Sequence, residues 1–159
     1  YLSIHASKHL FERIEWICDI DRFIRANLNL DWDYLLEVAK ELRVKRMLFL
    51  GLSLSQIFFG LEIPQKTQTE IEKDAVLPGI LSEILEINYS ESVTGGKSYS
   101  TFGLMWKMRE NLRDRLFFAW YGIFTPKFDD FKSIPLPKKL FFLYPLIRPF
   151  RLAQKYLFR

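Results

Sequence analysis

Apolar residues recur every three to four positions along almost the whole chain, and no stretch alternates apolar and polar residues over a strand's length. The pattern predicts an all-α protein, a multi-helix bundle of about six to seven helices. The first is expected from about Leu2 to Ala26, with Leu10, Phe11, Ile14, Ile17, Cys18, Ile24 and Leu28 on its core face at roughly 100° per residue. After a break at Asn27 to Leu30, Asp31 is placed to cap a second helix with its carboxylate, and Asp31 to Arg43 and Val44 to Phe59 read as two helices or one bent one. Gly60 suits a left-handed C-terminal position, and Pro64 prevents continuation.

Further along, Thr67 to Glu70 has the spacing of a capping box and is expected to open a helix that Pro78-Gly79 interrupts. Asn88 to Ser100 reads as a surface loop. A long helix is expected from Thr101 to Phe124, with Thr125-Pro126 opening a short one. The last helix, Lys138 to Phe158, should be kinked or broken at Pro145 and Pro149.

Length and composition fit a single helical domain over residues 1 to 159, 49% hydrophobic and 26% charged. The patterned segment begins at once after Tyr1, so the chain is expected to start mid-protein. One cysteine, Cys18, excludes an intrachain disulfide and any CxxC metal signature, which points to a reducing, cytoplasmic setting. No apolar run reaches the roughly 18 to 20 residues that span a bilayer.

The net charge of +4 is uneven. Residues 131 to 159 hold seven basic side chains (Lys132, Lys138, Lys139, Arg148, Arg151, Lys155 and Arg159) and no acidic one, whereas residues 1 to 130 carry 16 basic against 19 acidic, net −3. The basic tail suits phosphates, acidic lipid or an acidic partner, and equally a solvated helix face.

The side of the first helix opposite its core face gathers His5, Lys8, His9, Glu12, Trp16 and Asp19. A lysine for phosphate oxygens, imidazoles that donate hydrogen bonds and an indole that stacks on a base together suit a phosphate-bearing ligand. A solvated face with a Lys8–Glu12 pair and a half-buried Trp16 accounts for the same residues. So does a metal set of His5, His9 and Glu12, although the glutamate of an HExxH motif is missing.

The stretch from Leu2-Ser3-Ile4-His5-Ala6-Ser7-Lys8-His9 through Trp16-Ile17-Cys18-Asp19-Ile20 resembles the signature of the uncharacterised nucleotidyltransferase family: His-Gly-x-Lys-His, then Trp-x-Arg-Leu, then Trp-Ile-x-Asp-Val. Leu30-Asp31-Trp32, Arg46-Met47-Leu48 and Gly51-Leu52 are similar to its next helical pair. Arg113-Asp114-Arg115-Leu116 and Arg148-Pro149-Phe150-Arg151-Leu152 look like its C-terminal end, and residues 61 to 101 match it least. Ala6 replaces the family's glycine and Phe11 its first tryptophan.

The resemblance implies the C-terminal helical part of a nucleotidyltransferase of the DNA polymerase β superfamily. An upstream catalytic domain would hold magnesium and nucleoside triphosphate with paired carboxylates. No such motif occurs in this chain, because no Gly-Ser is followed by paired carboxylates. The helical part would close the nucleotide cleft, with His5, Lys8 and His9 binding the NTP phosphates, Asp19 orienting them, and NMP passing to an unidentified acceptor hydroxyl. The alternative is a non-catalytic helical binding module whose basic tail contacts RNA, anionic membrane or a protein partner. Gly95-Gly96-Lys97-Ser98 fails as a P-loop, since Glu91 stands where its first glycine belongs.

Overall fold

The computed structural model describes residues 1–89 and 101–157, among which the chain forms ten α-helices and one 3₁₀ helix and no strand. The all-α expectation holds. The expected six to seven helices are too few, because several long predicted helices are divided by turns that periodicity does not reveal. Two compact units emerge, Tyr1–Asn111 and Leu112–Arg159.

In the first unit the elements are α1 (Leu2–Lys8), α2 (Ile14–Ala26), α3 (Trp32–Glu41), α4 (Lys45–Phe59), α5 (Gln65–Glu72), α6 (Leu77–Tyr89) and α7 (Thr101–Lys107). At the centre stands α4, which packs against α1, α2, α3 and α6. Arg46, Met47 and every residue from Phe49 to Ser55 are buried, so this helix is enclosed nearly all round. Each fully buried leucine among Leu50, Leu52 and Leu54 contributes about 1.5–3 kcal/mol of transfer free energy. Gly51 lets α1 and α2 approach: a β-carbon there would lie 2.5 Å from Ser3 Oγ and 3.0 Å from Ile20 Cδ1.

Most of the buried polar residues here find partners, the Thr67 hydroxyl excepted. Ser55 Oγ donates to Gly51 O at 2.9 Å, and Ser7 Oγ to Ser3 O at 2.6 Å. Buried Arg46 grips Asp74 with two bonds, Nε to Oδ2 at 2.7 Å and Nη2 to Oδ1 at 3.1 Å, and Nη1 donates to Lys107 O at 2.6 Å. The Arg46 backbone N–H donates to Glu110 Oε1 at 2.8 Å. One guanidinium thus ties the start of α4 to the α5–α6 turn and the end of α7, and a fork of five donors is what such a junction needs.

Several caps fall where the sequence puts them. Asp31 Oδ1 accepts from Tyr34 N at 2.9 Å. Gly60 ends α4 with a φ of 61°. Arg43, at a φ of 56°, separates α3 from α4, so the alternative of two helices is the observed one.

Other expectations are corrected. The first helix does not run from Leu2 to Ala26, since α1 stops at Lys8 and α2 starts at Ile14. Of its expected core face, Phe11, Ile17 and Ile24 are buried, whereas Ile14 and Leu28 are exposed and Cys18 is only partly buried. Thr67 does not open a capping box. Pro64 caps α5, Thr67 is buried inside it, and the Glu70 carboxylate turns instead to Lys45 and Lys73, each at 2.7 Å. Lys45 first and then Lys73 hold the Glu70 carboxyl down to about 2.

Pro78 is the second residue of α6, where a missing N–H leaves no hydrogen bond unmade, so the interruption lies before it, where Asp74 Oδ1 accepts from Val76 N at 3.0 Å. The helix expected from Thr101 to Phe124 breaks after Lys107, where the carbonyl of Lys107 and the carboxylate of Glu110 serve Arg46. The loop expected to Ser100, including Gly95 to Ser98, lies outside the described residues from Ser90 onward; Asn88 and Tyr89 belong to α6.

The second unit comprises α8 (Leu112–Phe124), α9 (Phe128–Ser133), a 3₁₀ helix (Lys138–Leu143) and α10 (Tyr144–Leu157). Thr125-Pro126 does not open α9. Lys127 is its N-cap, and Asp130 Oδ2 accepts from the Lys127 N–H at 2.7 Å. The last predicted helix divides before Pro145, and α10 carries Pro149 inside it.

The closing Arg-Pro-x-Arg-Leu has a local purpose here. Buried Arg148 pairs with Asp130 and donates to Gly122 O from Nε at 3.2 Å and Nη2 at 3.1 Å, while Arg151 meets Asp130 at 2.5 Å. Burial pushes the Asp130 carboxyl up, but the Lys127 N–H and the two arginines outweigh it and hold it below its ordinary value. Tyr144, also buried, donates to Ile134 O at 2.8 Å and accepts from Leu136 N at 3.1 Å.

Candidate functional site

Between α1 and α2 the backbone makes a tight turn through two consecutive left-handed residues, Leu10 at a φ of 53° and Phe11 at 55°. Neither is glycine, and this conformation costs an L-residue about 1–2 kcal/mol. The turn is held from inside and outside. Phe11 N donates to Ala6 O at 2.9 Å, and the Phe11 ring is fully buried. From the end of α6, Asn88 Nδ2 donates to Leu10 O at 2.7 Å and the Tyr89 hydroxyl donates to Phe11 O. Burial is the main cause that pushes the Tyr89 hydroxyl above its ordinary value, with Glu15 adding to it, so the group stays a donor.

The turn folds α2 back so that Trp16 meets the histidines of α1. His5 and His9 lie with ring centroids 5.3 Å apart; Trp16 is 5.4 Å from His5, edge-on, and 5.0 Å from His9. Tyr1 stacks on the other side of His5 at 6.1 Å, and the Arg13 guanidinium sits 5.7 Å from the Trp16 ring. These are distances at which aromatic pairs and cation–π contacts attract.

Of the residues singled out from the sequence, His5, His9 and Trp16 are brought into contact. Lys8 lies on the last turn of α1, one turn from His5 by helical spacing, and is exposed. Asp19 is exposed one turn beyond Trp16 on α2, and Glu12 is exposed in the turn. Among the described residues, the side chains of Lys8, Glu12 and Asp19 form no ion pair, so the expected Lys8–Glu12 pair is not made. Basic residues in the last turn of α1 also complement the helix dipole, which stabilises α1 whatever else they do.

Two other hollows in the first unit differ in kind. A cavity of about 410 Å³ is lined mostly by apolar side chains, Leu2, Ile4, Ile20, Phe23, Val38 and Leu48 among them, and holds no Lys, Arg or His side chain for a phosphate. A polar hollow of about 350 Å³ holds Lys45, Arg46 and Lys73, but Glu70 and Asp74 already neutralise these cations. Lys8 has no such internal counter-ion among the described residues.

Among the described residues no three His, Cys, Asp or Glu side chains are arranged to hold a metal ion, so the set His5, His9 and Glu12 is not assembled. No helix among the described residues is long and apolar enough to cross a membrane.

Sequence reasoning missed Tyr1, Arg13, Asn88 and Tyr89. Tyr1 was legible as the first of an i, i+4, i+8 aromatic row with His5 and His9. Asn88 and Tyr89 had no local signal, standing 78 residues from the carbonyls they bind.

The first unit is all-helical, and His5, His9 and Trp16 meet where α1 turns into α2, with Lys8 exposed on the last turn of α1. Residues 1–60, which contain every member of the cluster's α1–α2 part, match the model of a family described as uncharacterised nucleotidyltransferase. The resemblance read at Arg113 to Leu116 and Arg148 to Leu152 lies outside the matched residues. No curated protein and no solved structure matches the chain.

Proposed function

We propose that the first unit is the helical portion of a nucleotidyltransferase and that its α1–α2 cluster takes the phosphates of a nucleoside triphosphate. The observation that carries this reading is the turn at Leu10 and Phe11, which sets Trp16 against His5 and His9 beside an exposed, unneutralised Lys8, all within the family-matched residues. Lys8 supplies a mobile cation for phosphate oxygens, and the imidazoles of His5 and His9 donate to the same anion. Trp16 fixes the ring orientations and presents an indole to the base. Asp19, one turn along α2, orients the group.

The catalytic carboxylates and their magnesium would belong to a domain beyond residues 1–159, and the NMP would pass to an acceptor hydroxyl. A polymerase-β-like catalytic domain and a cytoplasmic setting complete the proposal.

Calorimetric titration of ATP and GTP with magnesium into the full-length protein tests it, wild type beside Lys8→Ala. Lys8 is exposed, so the variant should melt at the wild-type temperature. Loss of one charge-assisted contact predicts binding about tenfold weaker. Equal binding in both proteins would return Lys8 to the role of a solvated helix-end cation.

A further inference from the structure

We propose that the second unit binds the surface of an anionic lipid bilayer through the outward face of α8 and the lysines of the same unit. This helix of 13 residues buries none of them. Its Gly122 carbonyl accepts from Arg148, which fixes the side turned toward α10. At about 100° per residue, Leu112, Leu116, Phe117, Trp120, Tyr121 and Ile123 fall on a face centred opposite Gly122. All six are exposed, Phe117 at 68% and Trp120 at 62%. An amphipathic helix ordinarily turns such a face inward; here it is turned to the surroundings, with Arg113 in its midst.

A second exposed apolar segment follows in the 3₁₀ helix, where Phe141 and Phe142 come directly after Lys138, Lys139 and Leu140. Charge decides what such surfaces meet. Residues 112 to 159 hold ten Lys and Arg against three Asp and no Glu, net +7, and one of the three, Asp130, is consumed inside the unit by Arg148 and Arg151. Lys132, Lys138 and Lys139 are exposed and form no ion pair among the described residues.

A second copy of so basic a unit would be repelled, and an anionic surface attracted. Phosphates of a nucleic acid would satisfy the lysines but gain nothing from Leu112, Leu116 and Ile123. A bilayer takes both: aliphatic and aromatic side chains enter the headgroup–acyl boundary while lysines stay with the anionic headgroups. Since no described helix is long and apolar enough to cross, α8 would lie along the surface.

Flotation of the 159-residue chain with vesicles of phosphatidylcholine alone, or with added phosphatidylserine, tests the proposal. The chain should float with the anionic vesicles only, and salt should release it. Lys138→Ala with Lys139→Ala should lower partitioning roughly thirty-fold, and Phe117→Glu with Trp120→Glu should abolish it. Because all four side chains are exposed, far-ultraviolet circular dichroism should stay unchanged in both variants. No flotation, equal flotation with neutral vesicles, or binding of a single-stranded RNA oligonucleotide without affinity for vesicles would overturn it.

Discussion

Leu10 and Phe11 adopt a backbone that their side chains disfavour, and the rest of the unit supplies what keeps them there: a buried phenyl ring, the Ala6 carbonyl, and the amide and hydroxyl of Asn88 and Tyr89. Strain of this kind persists only where surrounding contacts over-determine it. Tyr89→Phe removes one donor from the Phe11 carbonyl. We expect a loss of about 1 kcal/mol in stability, read by thermal unfolding, with faster hydrogen exchange at the amides of Leu10 to Glu12 and unchanged exchange in α4. Uniformly faster exchange, or none, would mean that Tyr89 does not hold the turn. The approach of His5 to His9 was legible in the sequence from their i, i+4 spacing alone. The arrival of Trp16 was legible only for the wrong reason, since an unbroken helix put it on the same face, whereas a left-handed turn of two non-glycine residues brings it there.

At the scale of elements, enclosure of α4 is what organises the first unit. Its apolar run from Met47 to Leu54 was readable, and so were its C-terminal glycine and the Asp31 cap of α3, because these depend on local chemistry. The breaks after Lys107 and before Leu77 were not readable. They answer to Arg46, whose carbonyl and carboxylate partners lie 28 to 64 residues away. Gly51 marks the closest approach between helices, and Gly51→Ala should force Ser3 and Ile20 apart. Overpacking of this kind costs about 1–3 kcal/mol, measurable by chemical denaturation. A variant as stable as the wild type would show that α1 and α4 do not meet as closely as the structure has them.

On the scale of the whole molecule, charge and exposed surface divide the two units. The first, net −3 over residues 1–111, spends most of its described cations in internal pairs and leaves Lys8 beside an aromatic cluster. The second is net +7 and turns aromatic side chains outward. The basic C-terminal stretch was plain in the sequence, but its division of labour was not: Arg148 and Arg151 are internal braces, and Lys132, Lys138 and Lys139 are left to the surroundings. That division depends on Asp130, which lies just before the stretch read as free of acidic residues. The central claim, that the α1–α2 cluster receives a nucleotide, is tested most directly by following the imidazole and indole resonances of the full-length protein as ATP with magnesium is added. Saturable shifts at His5, His9 and Trp16, with Trp32 and Trp106 unmoved, are the predicted result; shifts confined to other residues, or none at saturating nucleotide, would contradict it.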